Sequence, residues 1–481
     1  MNWLSYARTQ VGRIHTPALT TAIVACAGTL TLLPIAPASA ADDPVDITAV
    51  PTEGDPMDLP GRGPAPKTKE ENNTPAPVQS GARPEKAPEP REWFGPEGKS
   101  WLEWGRITGD WNGARSKMEE AGLTFAGSLR FDWTSVTSGG VNKDTYSRRL
   151  VDVNLTLELE KAFGTGWKGG TLYADFTHYG GKLEEPSGSI QGTDVIASPR
   201  HLDQLSEIWF QQVFADGAVR IKLGKIDTNA EFAVLPCACS FVSANGVWDA
   251  NLLDMPTYPD PAFGGLIFYT PCDSFYVGCG AFDGATHDGF HTGGRGPATF
   301  FSDSKSDSWY FIGEAGVRWP TCGACFAGQF SIGGWYHTGD YDRFDGSIAH
   351  GTGGFYAMAQ QQLTRRGDED GLKDKGLFVF ARAAFADEDI SAVRTHCAAG
   401  LSMQGTFDGR DADKAGIMWS LADLPSASGA SGDENLVELF YTIAATPGVS
   451  VTPYVQWVGN PSGDPSIKDA TLLGVSVKVV F

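Results

Sequence analysis

Two pairs of residues in this chain have the types and spacing for chemistry. Asp152 and Glu158 share the run VDVNLTLE, and two carboxylates on one surface are what acid–base cleavage of a glycosidic bond requires. Cys322 and Cys325 make a Cys-Gly-Ala-Cys spacing, the arrangement of a redox dithiol. Neither pair is framed as an enzyme would frame it. The two cysteines fall in a short turn with no βαβ unit around it, where a turn disulfide or two free thiols is the plainer reading. Serines and histidines occur without a nucleophile motif, and no second ligand pair has the spacing of a zinc site. The sequence therefore nominates no catalytic residue, no metal and no cofactor.

The carboxylates belong instead to a repeating two-sided pattern. In SWYFIGEAGVRW, Trp309, Phe311, Ala315, Val317 and Trp319 share one face, and Tyr310, Glu314 and Arg318 the other. Such alternation is the signature of a strand with one apolar and one wet surface. Ten residues at about 3.3 Å each, tilted by roughly 40°, rise on the order of 25 Å, the height of a membrane's apolar band. A Trp at each end fits the two interfaces, where amphipathic rings prefer to sit. Charges on the opposite face would be costly in lipid and are at home in a wet lumen. A soluble sandwich shows similar alternation but gains little from Trp at both ends of an outward face.

The rhythm persists. Strands are predicted at 123–133, 149–160, 170–178, 203–214, 218–227, 263–270, 274–283 and 308–319. Eight more follow at 326–337, 353–363, 376–386, 394–406, 414–421, 434–445, 448–458 and 471–481. Connections after odd strands are mostly long and those after even strands mostly short, with 364–375 an exception. An even strand number, short periplasmic turns and long outer loops mark an all-β fold, a sixteen-stranded antiparallel transmembrane β-barrel. A short amphipathic helix, 110–121, precedes it, with Met118 and Ala121 on one side and Arg115 and Glu119 on another. The segment 93–122 is expected at the periplasmic mouth, and the barrel at 123–481.

Composition agrees. The net charge of −21 argues against nucleic acid as a partner, and 59 glycines with 11% aromatic residues suit a barrel whose average hydropathy stays modest. Arg8 and Arg13 precede an apolar stretch, Ala18 to Leu33, and Ala38-Ser39-Ala40 offers a cleavage site, so residues 1–40 read as a signal peptide. Ile23-Val24-Ala25-Cys26 resembles a lipobox, but the apolar run continues past Cys26. Residues 41–92 hold eleven prolines and no aromatics and read as a disordered periplasmic linker. Seven cysteines would remain after cleavage, an odd number that leaves one thiol over.

Several stretches, in order from 101 to 481, resemble the carbohydrate-selective porin family (OprB-like) of Gram-negative outer membranes. They are ITGDWNGARSKMEEAGLTF (107–125), VDVNLTLELEKAFGTGWKGG (151–170), the Glu-aromatic-Gln pattern of SEIWFQQVF, IKLGKID (221–227) and VELFYTIAATPGVSVTPYVQWVGNP (437–461). Asn112, where the family usually has Gly, and the cysteines depart from its pattern. The resemblance implies an outer-membrane porin through which mono- or oligosaccharides diffuse, passively or with weak facilitation. A general or cation-preferring porin of the same fold is the alternative, with a barrel enzyme or adhesin further off. Phe481, closing LLGVSVKVVF, is placed in the aromatic girdle and resembles the terminal signal read by the barrel-assembly machinery. Membrane lipid and further copies of the chain are the other partners considered.

Strand parity nominates the lining. On the first four strands it selects Arg130, Asp132, Asp152, Glu158, Asp175, Glu207, Trp209 and Gln211. Arg220, Lys222, Glu314, Arg318 and Trp335 follow, then Arg382, Glu438, Gln456 and Lys478. Charged and amide groups can replace water on sugar hydroxyls, while aromatic rings stack on sugar faces. The longest gap, 228–262, is unusually apolar for a surface loop and is expected to fold into the lumen; an extracellular lobe is the other possibility. Parity breaks beside it, since Lys225 and Asp227 share the face of Leu223, and a bulge at Gly224 would return them to the channel.

Overall fold

The computed structural model describes residues 103–288, 308–319, 326–367, 372 and 375–481. The signal-peptide and linker expectations, and the Cys322–Cys325 pair, lie outside the described residues. Helix α1 (Ala114–Glu120) precedes β1 (Leu123–Gly140) and β2 (Thr145–Glu158), and α2 (Leu159–Phe163) leads to β3 (Gly170–Gly181). Then come β4 (Leu202–Phe214), β5 (Val219–Ile226), β6 (Ala262–Cys272), β7 (Phe275–Asp283) and β8 (Trp309–Trp319). The second half holds β9 (Gly328–Asp342), β10 (Ile348–Gln362), β11 (Gly376–Ala386) and β12 (Thr395–Gln404). It ends with β13 (Lys414–Asp423), β14 (Glu434–Thr446), β15 (Val449–Gly459) and β16 (Lys468–Val480).

Each strand pairs antiparallel with its sequence neighbours, and β1 pairs with β16, so the sheet is a closed barrel. Closure removes every sheet edge, which is what a spanning sheet needs where water cannot satisfy backbone groups. The outward face carries the large apolar side chains, with Trp309 50% and Trp319 38% exposed at its two rims. Tyr310 and Glu314, between them in sequence, are buried on the inside. At the seam, Gly127 and Phe481 exchange main-chain hydrogen bonds of 3.0 and 2.9 Å. A Cβ on Gly127 would stand 2.5 Å from the Phe481 ring, so the absent side chain makes room for the aromatic on the outward wall.

Three expectations need correction. The predicted gaps 134–148 and 338–352 are mostly strand: β1, β2, β9 and β10 continue past the apolar band, where alternation loses its apolar half and the pattern no longer registers. Helix α1 is shorter than 110–121, and Arg115 is on no exposed face. It is 1% exposed and donates to the main-chain oxygens of Phe125 (2.6 Å) and Phe481 (3.2 Å) and to Thr108 Oγ1 (3.2 Å). Ile107 N also donates to Val480 O at 2.9 Å, so the segment before β1 is stitched to the seam.

The third concerns Gly224. Pairing of β5 with β4 and β6 runs unbroken through it, so there is no bulge there. The backbone instead turns at φ +139°, and Lys225 ends buried with Nζ donating to Leu205 O at 2.9 Å. The irregularity sits in β4, where Asp175 faces Glu207 but Phe176 faces Leu205, leaving Ser206 over. A Cβ at Gly224 would lie 2.2 Å from Ile208 O. Gly224→Val is therefore expected to lower stability by about 1–3 kcal/mol, read as a lower temperature for loss of the folded band on semi-native gels; an unchanged transition would contradict this account.

Candidate functional site

The chain between β5 and β6 does fold inward. Asp227 closes its neck: its carboxylate accepts from Asn229 N (2.9 Å), Ala230 N (3.3 Å), Thr257 Oγ1 (2.6 Å) and Tyr258 N (3.2 Å). Beyond the neck, Phe232, Leu235 and Leu252 are fully buried, and Phe241 nearly so. Phe232 packs 5.0 Å from Phe268 of β6, and Phe241 lies 5.6 Å from Phe380 of β11 and 4.8 Å from Phe440 of β14. The apolar content noted in the sequence is thus a core between loop and wall.

Polar groups of the wall fix the loop by its main chain. Glu314 Oε2 accepts from Ala233 N at 2.8 Å, and Gln360 Oε1 from Cys237 N at 3.1 Å. Glu438 takes Val242 N and Ser243 N, both at 2.7 Å, one on each oxygen. Arg382 grips Asp249 through Nε (3.0 Å) and Nη2 (2.6 Å), and its Nη1 donates to Gly246 O at 2.9 Å. His396 Nδ1 is 2.8 Å from the same carboxylate. Burial alone would raise the Asp249 carboxyl, but Arg382 and His396 hold it below the usual carboxylate range.

A second loop, 182–201 between β3 and β4, also enters, and sequence reasoning missed it. Glu434 receives Ser189 Oγ (2.6 Å), Ile190 N (3.0 Å) and Gln191 Nε2 (3.1 Å), and Gln456 Nε2 donates to Thr193 O at 2.7 Å. Arg148 binds Asp194 at 3.3 Å and Glu184 O at 2.9 Å. The two loops join main chain to main chain, Val195 N to Val242 O at 2.7 Å and Ala244 N to Gly192 O at 3.3 Å, and Tyr258 Oη donates to Ile196 O at 2.7 Å. Ser187, Ser189, Gln191 and Thr193 are buried in alternation. Polar residues bury here because the wall supplies their partners, and no apolar period announces it.

The loops cover the inner faces of β8 to β15. Glu314, Arg382, Glu438 and Gln456, expected to face open water, face the lumen but are capped by loop. Trp335, 5% exposed, stacks 5.9 Å from Tyr310. Arg318 lies over the Tyr276 ring at 4.2 Å. Glu158 does not line the bore: it stands at the rim with Lys161, 2.8 Å away, because β2 ends there. Arg220 and Lys222 both bind the loop carboxylate Glu231, the former at 2.6 Å, and Arg220 also donates to Gln211 Oε1 at 3.2 Å. Trp209 stacks on Tyr173 at 4.7 Å, with Lys222 Nζ 3.7 Å from its ring centre.

Between such loop contacts, the wall of β16 and β1 to β4 carries inward groups that bond mainly to one another. There Arg130 binds Asp132 at 2.9 Å, and Thr177 Oγ1 lies 3.1 Å from both Asp152 and Asp175. Asp175 pairs across strands with Glu207, whose carboxylate accepts from Asp227 N at 3.0 Å. Lys478 of β16 pairs across the seam with Arg130 of β1, and its charge acts on Asp152. Among the described residues no group of three or more His, Cys, Asp or Glu could hold a metal ion, and Cys237, Cys272 and Cys279 are free thiols. The arrangement is a lumen narrowed by two loops to a polar passage along one side.

Comparison with known proteins agrees with this geometry. Residues 142–481 match the family model described as "Carbohydrate-selective porin, OprB family". Porin B of Pseudomonas aeruginosa is 23% identical over 437 residues, covering 81% of this chain and 93% of that protein. The putative porin QuiX of Acinetobacter baylyi is 22% identical over 426 residues, covering 81% and 94%. The high-pH structure of Pseudomonas putida OprB superposes with a TM-score of 0.69 at 21% identity, over 80% of this chain and all of that one.

Proposed function

The chain belongs to the carbohydrate-selective porin family, OprB, and from that premise we propose that mono- or oligosaccharides cross the outer membrane through its passage along β16 and β1 to β4. The observation that carries the proposal is the division of the lumen. Two loops fill one side by hydrogen bonds to the wall, and the other side keeps Arg130, Asp152, Asp175 and Lys478 toward the passage. A sugar entering there exchanges water for carboxylate, guanidinium and hydroxyl partners. Binding of that kind is weak by design, because a passage that held its solute would not release it. No bond is made or broken, so the carboxylates act as acceptors and not as an acid–base pair.

On this reading the end bearing α1 and the short turns faces the periplasm, where the Pro-rich segment 41–92 extends, and the aromatic rims meet lipid. Phe481 serves recognition by the assembly machinery, and association with further copies uses the outer wall. Swelling of liposomes carrying the purified protein tests the central claim. Sugars are expected to enter faster than amino acids and salts of equal size. Equal rates at equal size would leave a general porin, and hydrolysis of a glycoside, lipid or peptide abolished by one point change would replace the porin reading with an enzyme.

A further inference from the structure

β14 turns Glu434 and Glu438, both fully buried, to its inner face, and each holds a different loop. Glu438 takes the chain between β5 and β6 through Val242 N and Ser243 N. Glu434 takes loop 182–201, and its grip is the denser of the two. Its carboxylate accepts from Ser189 Oγ (2.6 Å), Ile190 N (3.0 Å), Gln191 N (3.3 Å) and Gln191 Nε2 (3.1 Å). A further bond comes from Ser462 N, at 2.6 Å, in the connection between β15 and β16. Ser462 Oγ donates in turn to Gly188 O at 2.7 Å. Every one of these partners of Glu434 is a donor, and the main-chain N–H groups among them cannot reverse their role. The position therefore calls for acceptors on both oxygens, which a carboxylate supplies.

Gln456 of β15 ties the two holds together. Its Nε2 reaches Thr193 O of loop 182–201 at 2.7 Å and Glu438 Oε2 at 3.0 Å. With the main-chain links already described, neither loop can shift without straining the other. Elsewhere the pair is fixed by Arg382 on β11, through Asp249, Gly246 O and Ala233 O. Three strand spacings separate β11 from β14, about 14 Å, and Arg382 and Glu434 share none of these partners. Substitutions that far apart ordinarily act independently. We infer that here they do not: Glu434 is a positioning residue that sets the size limit of the passage, and the two loops form one gate pinned by Arg382 and by Glu434. This rests on the porin reading above and adds to it the residue and the moving unit that decide which sugars are too large. Freed at one pin, the gate is still held at the other; freed at both, it swings clear of the bore.

The test uses the full-length protein in planar bilayers, with swelling of liposomes in a graded series of neutral glucose oligomers beside it. Glu434→Ala and Glu434→Gln are each expected to raise single-channel conductance, open-channel current noise and the largest oligomer admitted, alanine the more. The glutamine variant keeps the volume and sets an amide NH2 against fixed donors, so it keeps the test available should the alanine variant fail to assemble. In the double variant Glu434→Gln, Arg382→Lys the rise in conductance should exceed the product of the two single rises by roughly twofold. A merely structural role for Glu434 would lower heat resistance and leave the conductance, noise and size limit of assembled channels where they were. Conductance at or below wild type in the Glu434 variants would overturn the inference, as would a double variant that does not exceed the product. A wild type that passes neither ions nor sugars would instead overturn the porin reading beneath it.

Discussion

Replacing Arg382 with alanine is expected to widen the bore. The guanidinium is 1% exposed and holds the inserted loop at three points: the Asp249 carboxylate, Gly246 O and, at 3.3 Å, Ala233 O. Removing one partner of a buried pair leaves an uncompensated charge, at a cost of about 3–5 kcal/mol. The barrel has a cheaper escape than unfolding, because the loop can leave the wall and carry Asp249 to water. The expected result is a single-channel conductance roughly twofold or more above wild type, with passage of oligosaccharides that the intact protein excludes. Arg382→Lys, which keeps the charge but not the fork, should fall between. Unchanged conductance and an unchanged size limit would show that the loop is held elsewhere. Since Asp249 is held below the usual carboxylate range, its share of the grip is present above about pH 4 and is lost only as pH falls through its lowered value.

The second large effect is expected at the opposite end. Arg115→Ala deletes the donors that reach Phe125 O on β1 and Phe481 O at the end of β16, the two strands that close the barrel. It also removes a cation 5.0 Å from the Trp111 ring centre and 5.7 Å from that of Phe125. A hydrogen bond from a charged group contributes about 1.5–3 kcal/mol, so a loss on the order of 3 kcal/mol is expected, with two main-chain acceptors left short. Heat-modifiability on semi-native gels reads it directly: the folded band of the variant should disappear at a lower temperature than that of wild type. Arg115→Lys should recover only part, since an ammonium cannot span the same acceptors. A variant as heat-resistant as wild type would make the seam contact incidental.

The strands were legible because alternation is enforced wherever one side meets lipid and the other water. Trp309 to Trp319 and the pattern of β14 are read from residues alone. Above the apolar band that enforcement ends, and the last turns of β1 and β9 disappear into what reads as loop. Glu438 is visibly inward from its place between Val437 and Leu439. Its role is not visible, since its partners are backbone N–H groups of Val242 and Ser243, identical for any sequence that brings them there. Arg115 failed for a related reason: an arginine on a short helix reads as solvated unless the carbonyls waiting for it are known. Loop 182–201 left little signal because its buried residues are mostly polar, serines, Thr193, Gln191 and Asp194, with Ile196 the one large apolar side chain fully buried among them.

The joining of the two loops through Val195 N and Val242 O, and through Ala244 N and Gly192 O, has a consequence for how such a protein can change. Those links involve no side chain at either end. Neighbouring residues can therefore be exchanged by mutation while the gap keeps its outline, much as a die accepts new facings without recasting. A lineage could retune which nutrients it scavenges one substitution at a time, with each intermediate still a working pore.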